Sequence, residues 1–197
     1  NALANVDDGT CCAGGFPFGT QIGQDIDGEN SNDHSGYSVD ISSDGNILAV
    51  GAIDNSGTGS GNSGHVRIYQ NVNGSWNQIG NDINGQSGDN YSGWSVSISS
   101  DGNIVAIGSP NKDVSGVDDG HIRIFKNING SWIQLGQDIV GEASGDHSGC
   151  AVSLSGDGNT VAIGARLNDG QSAGTNSGQV RIYEYNGTSW IKIGQDI

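Results

Sequence analysis

Four histidines, 22 acidic side chains and seven Lys or Arg carry the ionisable chemistry of this 197-residue chain. General acid–base or nucleophilic catalysis would set a His beside a carboxylate and a Ser or Cys. A zinc-type site would cluster His, Cys, Asp and Glu at ligand spacing. The histidines follow an internal repeat instead. His34 and His147 share one repeat position, where the middle copy has Tyr91, and His65 and His121 share another, where the last copy has Gln179. A position that takes Tyr or Gln in a sister copy reads as packing or surface rather than catalysis. No Ser-His-Asp or Cys-His grouping can be assembled from spacing, so no catalytic or cofactor-binding residue is assigned. The chain is expected not to be an enzyme.

The cations are more regular. Arg67, Arg123 and Arg181 occupy one repeat position, and Asp25, Asp82, Asp138 and Asp196 recur at another. Guanidinium and carboxylate match as a planar bidentate pair. A structural Arg–Asp pair within or between units is the leading reading, and a ligand-binding ring of arginines is the sharper alternative. Other carboxylates gather in polar stretches: Asp54, Asp113, Asp118, Asp119 and Asp169 in variable segments, and Asp33, Asp89 and Asp146 ahead of apolar ones. A solvated acidic face accounts for them. Calcium bridged by Asp and Asn side chains is the alternative, with Asp118, Asp119 and the stub Asp7-Asp8-Gly9 as candidates; no cofactor is required.

These residues must be positioned by short elements, because the periodicity is that of strands. Gly23-Gln24-Asp25-Ile26 returns at Gly80, Gly136 and Gly194, at intervals of 57, 56 and 58 residues. Units over about 23–79, 80–135 and 136–193 follow. Ser95-Val96-Ser97-Ile98-Ser99 alternates apolar and polar residues, the period of a half-buried strand. Ile104-Val105-Ala106-Ile107 is continuously apolar and should be buried on both faces. Asp101-Gly102 and Asn129-Gly130 are residue pairs that tolerate the positive φ of tight hairpins. No stretch carries a useful helical period. The expected fold is all-β: three tandem four-stranded antiparallel repeats of about 57 residues, each a β-propeller blade, together part of a larger propeller because propellers close with about four to eight blades. Trp76, Trp132 and Trp190, one near the end of each unit, read as blade-packing residues. Asn73-Gly74-Ser75, Asn129-Gly130-Ser131 and Asn186-Gly187-Thr188 match the N-glycosylation pattern, as does Asn90-Tyr91-Ser92; a hairpin turn suffices to explain the first three.

Ser-Gly-aromatic-Ser-Val at Ser35 to Val39 and Ser92 to Val96, followed by Gly51-Ala52, Gly108-Ser109-Pro110 and Gly164-Ala165, resembles the FG-GAP repeat. The resemblance covers residues 20–197. It implies the propeller of integrin α-subunits and of many secreted surface proteins. Members of that family often carry an Asp-rich calcium loop between the first two strands. Here the place holds Ser43-Asp44-Gly45-Asn46 and its two counterparts, and one carboxylate cannot supply the roughly six to eight oxygens calcium takes. Residues 1–19 differ from the repeat: Asp7-Asp8-Gly9-Thr10-Cys11 resembles the "DDGSC" end of a cysteine-bearing linker module of large surface proteins. In that setting Cys11 or Cys12 is a disulfide candidate, with Cys150 or a cysteine outside this sequence as partner; Cys150 also stands where Tyr37 and Trp94 stand, and reads as an apolar substitute.

Composition narrows the function. A net charge of −15 excludes a nucleic-acid partner that needs a basic patch, and no apolar run is long enough to span a membrane as a helix. The sialidase-type Ser-x-Asp-x-Gly-x-Thr-Trp box fails on spacing at Ser42-Ser43-Asp44-Gly45. The leading expectation is a non-enzymatic extracellular or cell-surface structural and adhesion module that presents loops and blade edges. Its partners would be further blades of the same chain or another subunit, and surface proteins or glycans. A glycan-binding propeller is the alternative, and a propeller hydrolase or lyase comes third.

Overall fold

The computed structural model describes residues 21–56, 61–86, 91–114, 116–169 and 175–197. Among them there is no helix, and the strands form three antiparallel sheets in chain order. The first sheet runs β1 (Ser35–Ile41), β2 (Ile47–Ala52), β3 (His65–Val72), β4 (Ser75–Gln78), with β5 (Ile83–Asn84) also on β3. The second repeats this with β6 (Ser95–Ile98), β7 (Ile104–Ser109), β8 (His121–Ile128), β9 (Ser131–Gln134) and β10 (Ile139–Val140). The third runs β11 (Ser148–Leu154), β12 (Thr160–Ala165), β13 (Gln179–Tyr185), β14 (Trp190–Ile193).

β4 and β5 are two halves of one outer strand. β4 pairs the far half of β3, Tyr69 opposite Gln78, and β5 pairs the near half, Val66 opposite Ile83. Gly80, at φ 72°, makes the break between them. The recurring Gly-x-Asp-Ile element therefore lies in the outer strand of a sheet. The third sheet ends the same way, with Val180 and Ile197 exchanging backbone hydrogen bonds of 2.9 and 3.0 Å.

The hairpins are held by their own side chains. Asp44 accepts from Ser42 Oγ at 2.6 Å and from Asn46 N and Nδ2 at 3.0 Å, and Asp101 and Asp157 repeat the arrangement. Those bonds, the Ser42 hydroxyl foremost, hold the Asp44 carboxyl at about 2. The carboxylates at these turns are thus occupied by the turn itself.

The sheets stack face to face, and the core lies between them. Ala49, Val66 and Ile68 of the first sheet meet Val96, Ile98, Val105, Ile107 and Phe125 of the second. On its other side the second sheet offers Ile104, Ala106, Ile122 and Ile124 to Val161, Ile163 and Trp190 of the third. All six residues of β7 are buried, as its unbroken apolar run requires. Polar ties cross the same seams: Ser38 Oγ donates to Gly93 O at 2.6 Å and Ser95 Oγ to Gly149 O at 2.8 Å. A Cβ on Gly51 or Gly108 would collide with those carbonyls of the next sheet, so both positions must be glycine.

The two outer faces differ from the seams. Val39 is 60% exposed while its counterpart Val96 is 8% exposed, and Val180 is 37% exposed where Ile122 is fully buried. Full burial of such a side chain contributes about 1.5–3 kcal/mol, so each end of the stack leaves stabilisation unrealised.

Candidate functional site

The loops that enter and leave the sheets gather at one rim and form pockets there. The first, about 560 Å³, is lined by residues 29–34, 54–56 and 62 together with Asp82 and Asn84. Its scaffold is a buried carboxylate. Asp33 accepts Asn30 N at 3.0 Å and Asn55 Nδ2 at 2.9 Å, tying the loop before β1 to the loop after β2. At the third sheet, Asp146 holds Ala143 N at 3.0 Å and Asn168 Nδ2 at 2.8 Å around a pocket of about 410 Å³.

Behind the first pocket stands Arg67, on β3. Its Nη2 pairs with Glu29 and its Nε lies 3.1 Å from Asp82 Oδ1, in the same sheet. His65, two residues earlier on β3 and therefore on the same side of the strand, is buried, with Nδ1 3.7 Å from Asp82 Oδ2. Burial pushes its imidazole below the usual value, against the pull of Asp82 and Asp33, so the ring is neutral at pH 7. In the second sheet burial, helped by Arg123, takes His121 down to about 4. Glu29, His65 and Asp82 place one ligand atom each within 4.8 Å of one another, the only such trio among the described residues.

The arginine of the second sheet diverges from those of the first and third. Arg123 donates through Nη2 to Asn84 O at 2.8 Å and lies 5.2 Å over the Phe125 ring, with no ion pair to Asp138 among the described contacts. Arg181 reaches Glu142 at 2.9 Å and Asp196 at 3.9 Å, and donates through Nε to Gln179 at 2.8 Å. Asp25 accepts from Gln21 at 2.7 Å. The arginines thus sit one per sheet: Arg67 and Arg181 hold equivalent Glu and Asp carboxylates, and Arg123 does not.

The tryptophans tie each sheet to the segment before it. The indole N–H of Trp76, Trp132 and Trp190 donates to the carbonyls of Ile22, Ile79 and Leu135 at 2.9, 2.9 and 2.8 Å. Gln24 and Gln137 add paired amide bonds to the backbone of Trp76 and Trp190. Trp190 is buried, while Trp76 and Trp132 are half-buried.

The calcium and disulfide candidates fare unevenly. Asp119 is fully buried and accepts Val114 N at 2.9 Å and Gly116 N at 3.1 Å, so its carboxylate turns into its own loop. The Asp118 N–H donates to Asp113 at 2.8 Å. Asp7, Asp8, Cys11, Cys12 and the whole 1–19 module lie outside the described residues. Cys150 is free and half-buried, with Sγ 3.4 Å from Gly164 O.

Successive four- and five-stranded antiparallel sheets, stacked face to face, are the blades of a β-propeller. The FG-GAP repeat family matches residues 141–183, within the third repeat. No curated protein matches the chain. Among solved structures, a protein named as a 6-phosphogluconolactonase from Bacteroides uniformis superposes with TM-score 0.53 at 16% identity, over 80% of this chain and 39% of that one. A complex of KlAtg21 with the coiled coil of AgAtg16 gives 0.51 at 18%, over 80% and 43%. Pseudomonas aeruginosa periplasmic gluconolactonase gives 0.48 at 19%, over 75% and 39%. The chain spans about two-fifths of these proteins, and at such identity the likeness is one of fold.

That likeness corrects one expectation. The chain was expected not to be an enzyme because its histidines found no partners by spacing. Propeller blades also build a protein named as a lactonase, and function belongs to the site and not to the fold. The folded chain does bring a histidine and two carboxylates together at the first pocket, so the ground for that expectation is gone.

Proposed function

We propose that the chain is a run of blades from a larger extracellular or cell-surface propeller, and that it works by binding: the rim pockets of the blades engage protein or surface partners, while further blades of the same repeat cover its two end faces. The observation that carries this reading is the contrast between seam and end. The residues that one seam shuts away, Val96 and Ile98, have their first-sheet counterparts Val39 and Ile41 at 60% and 50% exposure. Glycines show the same contrast. Gly93 and Gly102 are crowded by the preceding sheet, while Gly36 and Gly45, at the same positions of the first sheet, have nothing near them. An uncovered apolar sheet face invites association, and the acidic surface keeps such a module soluble.

Sedimentation velocity over a hundredfold concentration range tests this. The isolated chain is expected to self-associate through its end faces, and Val39→Asp with Ile41→Asp is expected to reduce that association. A compact monomer at every concentration, binding no hydrophobic dye, would contradict the reading.

A further inference from the structure

The first pocket contains an arrangement that neither ion pairing nor hydrogen bonding completes. His65 is 3% exposed and its Nδ1 has no hydrogen-bond partner. It faces Asp82 Oδ2 across 3.7 Å, beyond the roughly 2.7–3.2 Å of an N–H···O bond. The other oxygen, Oδ1, is occupied by Arg67 Nε at 3.1 Å and Gln78 Nε2 at 2.7 Å. Glu29 likewise gives Oε1 to Arg67, and its Oε2 meets Asn55 Nδ2 only at 3.5 Å. Each carboxylate thus has one oxygen committed to the arginine and one less engaged, with the imidazole nitrogen nearby.

We propose that Glu29, His65 and Asp82 form a binding site for a divalent transition-metal ion of the zinc class, open on the pocket side. Zinc binds imidazole nitrogen at about 2.0–2.1 Å and carboxylate oxygen at about 2.0–2.2 Å, which in a tetrahedron sets donors roughly 3.3–3.5 Å apart. The His65–Asp82 separation is within a few tenths of an ångström of that. One imidazole with two carboxylates suits zinc and its neighbours, whereas calcium wants more oxygens and no nitrogen. Arg67 holds one oxygen of each carboxylate, fixing both as outer-shell partners do, and Asp33 and Asp54 add negative charge to the pocket wall. Glu29 and Asp82 both line the pocket, so an ion held there would be reached from it.

The chain supplies its own controls. The second sheet repeats the histidine and aspartate, with His121 Nδ1 also 3.7 Å from Asp138 Oδ2, but has Gln86 in place of Glu29. The third keeps Glu142 and Asp196 but has Gln179 in place of His65. Only the first sheet has all three donors, so Glu29→Gln and His65→Gln each turn the site into a sister the fold already accommodates.

Isothermal titration of the chain with Zn²⁺ alone, at pH 7, tests the proposal. One equivalent is expected to bind. Affinity should fall at least about tenfold in Glu29→Gln and in His65→Gln, and stay unchanged in His121→Gln. Circular dichroism of the metal-free variants verifies their fold. In the unaltered chain, histidine-ring NMR reads the same event without any substitution: one buried imidazole should shift at one equivalent of zinc. Absence of saturable binding, undiminished binding in His65→Gln, several equal sites, or shifts confined to the exposed His34 would each overturn it.

Discussion

Beside β1, Asp33 gathers the Asn30 amide and the Asn55 side chain, and Arg67 reaches Glu29. Beside β11, Asp146 gathers Ala143 and Asn168 in the same way, and Arg181 reaches Glu142. On those equal frames the linings part. Asp54 in the first lining becomes Leu167 in the third, and where the first sheet buries His65 behind its pocket the third lines its own with Gln179. The outward faces part as well: the first sheet shows solvent the side that the second and third sheets bury, and the third shows the opposite side. A repeat therefore holds fixed what joins loop to loop and sheet to sheet, and leaves free what points into the pocket. Chemistry is to be sought where the copies differ.

The largest expected effect separates the two faces. Gly51→Ala drives a methyl into the Gly93 carbonyl of the next sheet, whereas the same change at Gly164 makes ordinary contacts with Ala151, the nearest at 3.4 Å. Overpacking costs about 1–3 kcal/mol and occasionally more, so Gly51→Ala, set against backbone, should lower the midpoint of chemical unfolding strongly and Gly164→Ala hardly at all. Equal losses would mean that the third sheet's outer face is covered already in the isolated chain.

A smaller pair of effects should be equal. Asp33→Ala and Asp146→Ala each strip two charge-assisted hydrogen bonds from a buried loop. Matching losses in thermal unfolding would support a shared frame, and a loss confined to one pocket would break it.

The smallest effect is one of pH. His65 and His121 titrate lower in the folded chain than the usual 6.5, chiefly through burial. Their contribution is complete above about 6.5, where both states are neutral. As pH falls from there toward about 4, the unfolded chain takes up protons first and stability declines. His121→Gln should flatten part of that slope. The third sheet, with Gln179, contributes none of it, and an unchanged slope in His121→Gln would assign the titration elsewhere.

Much of the fold could be read from the sequence because hairpin chemistry and strand period are local. Asp44-Gly45-Asn46 becomes a turn through its own Ser and Asn side chains, and Ile104 to Ile107 is buried because it is apolar throughout. A period does not fix an origin, however. Gly80-Asn81-Asp82-Ile83 opens a sequence unit but lies in the outer strand of the first sheet, because hydrogen bonding decides where a sheet ends. The pocket was harder to read. Glu29, His65 and Asp82 come from a loop, from β3 and from the segment between β4 and β5, and no spacing rule joins them. Replacement between copies argues against the histidines, and the Glu29 position is not acidic in every copy, since the middle one has Gln86. That variation is what sets the first pocket apart.

The most direct measurement is a crystal structure of the chain soaked in zinc, with anomalous diffraction recorded on both sides of the zinc edge. The account predicts one edge-dependent peak, bounded by Glu29, His65 and Asp82, and none at Gln86–His121–Asp138 or Glu142–Gln179–Asp196. A peak at either sister position, or none in the first pocket, would contradict it.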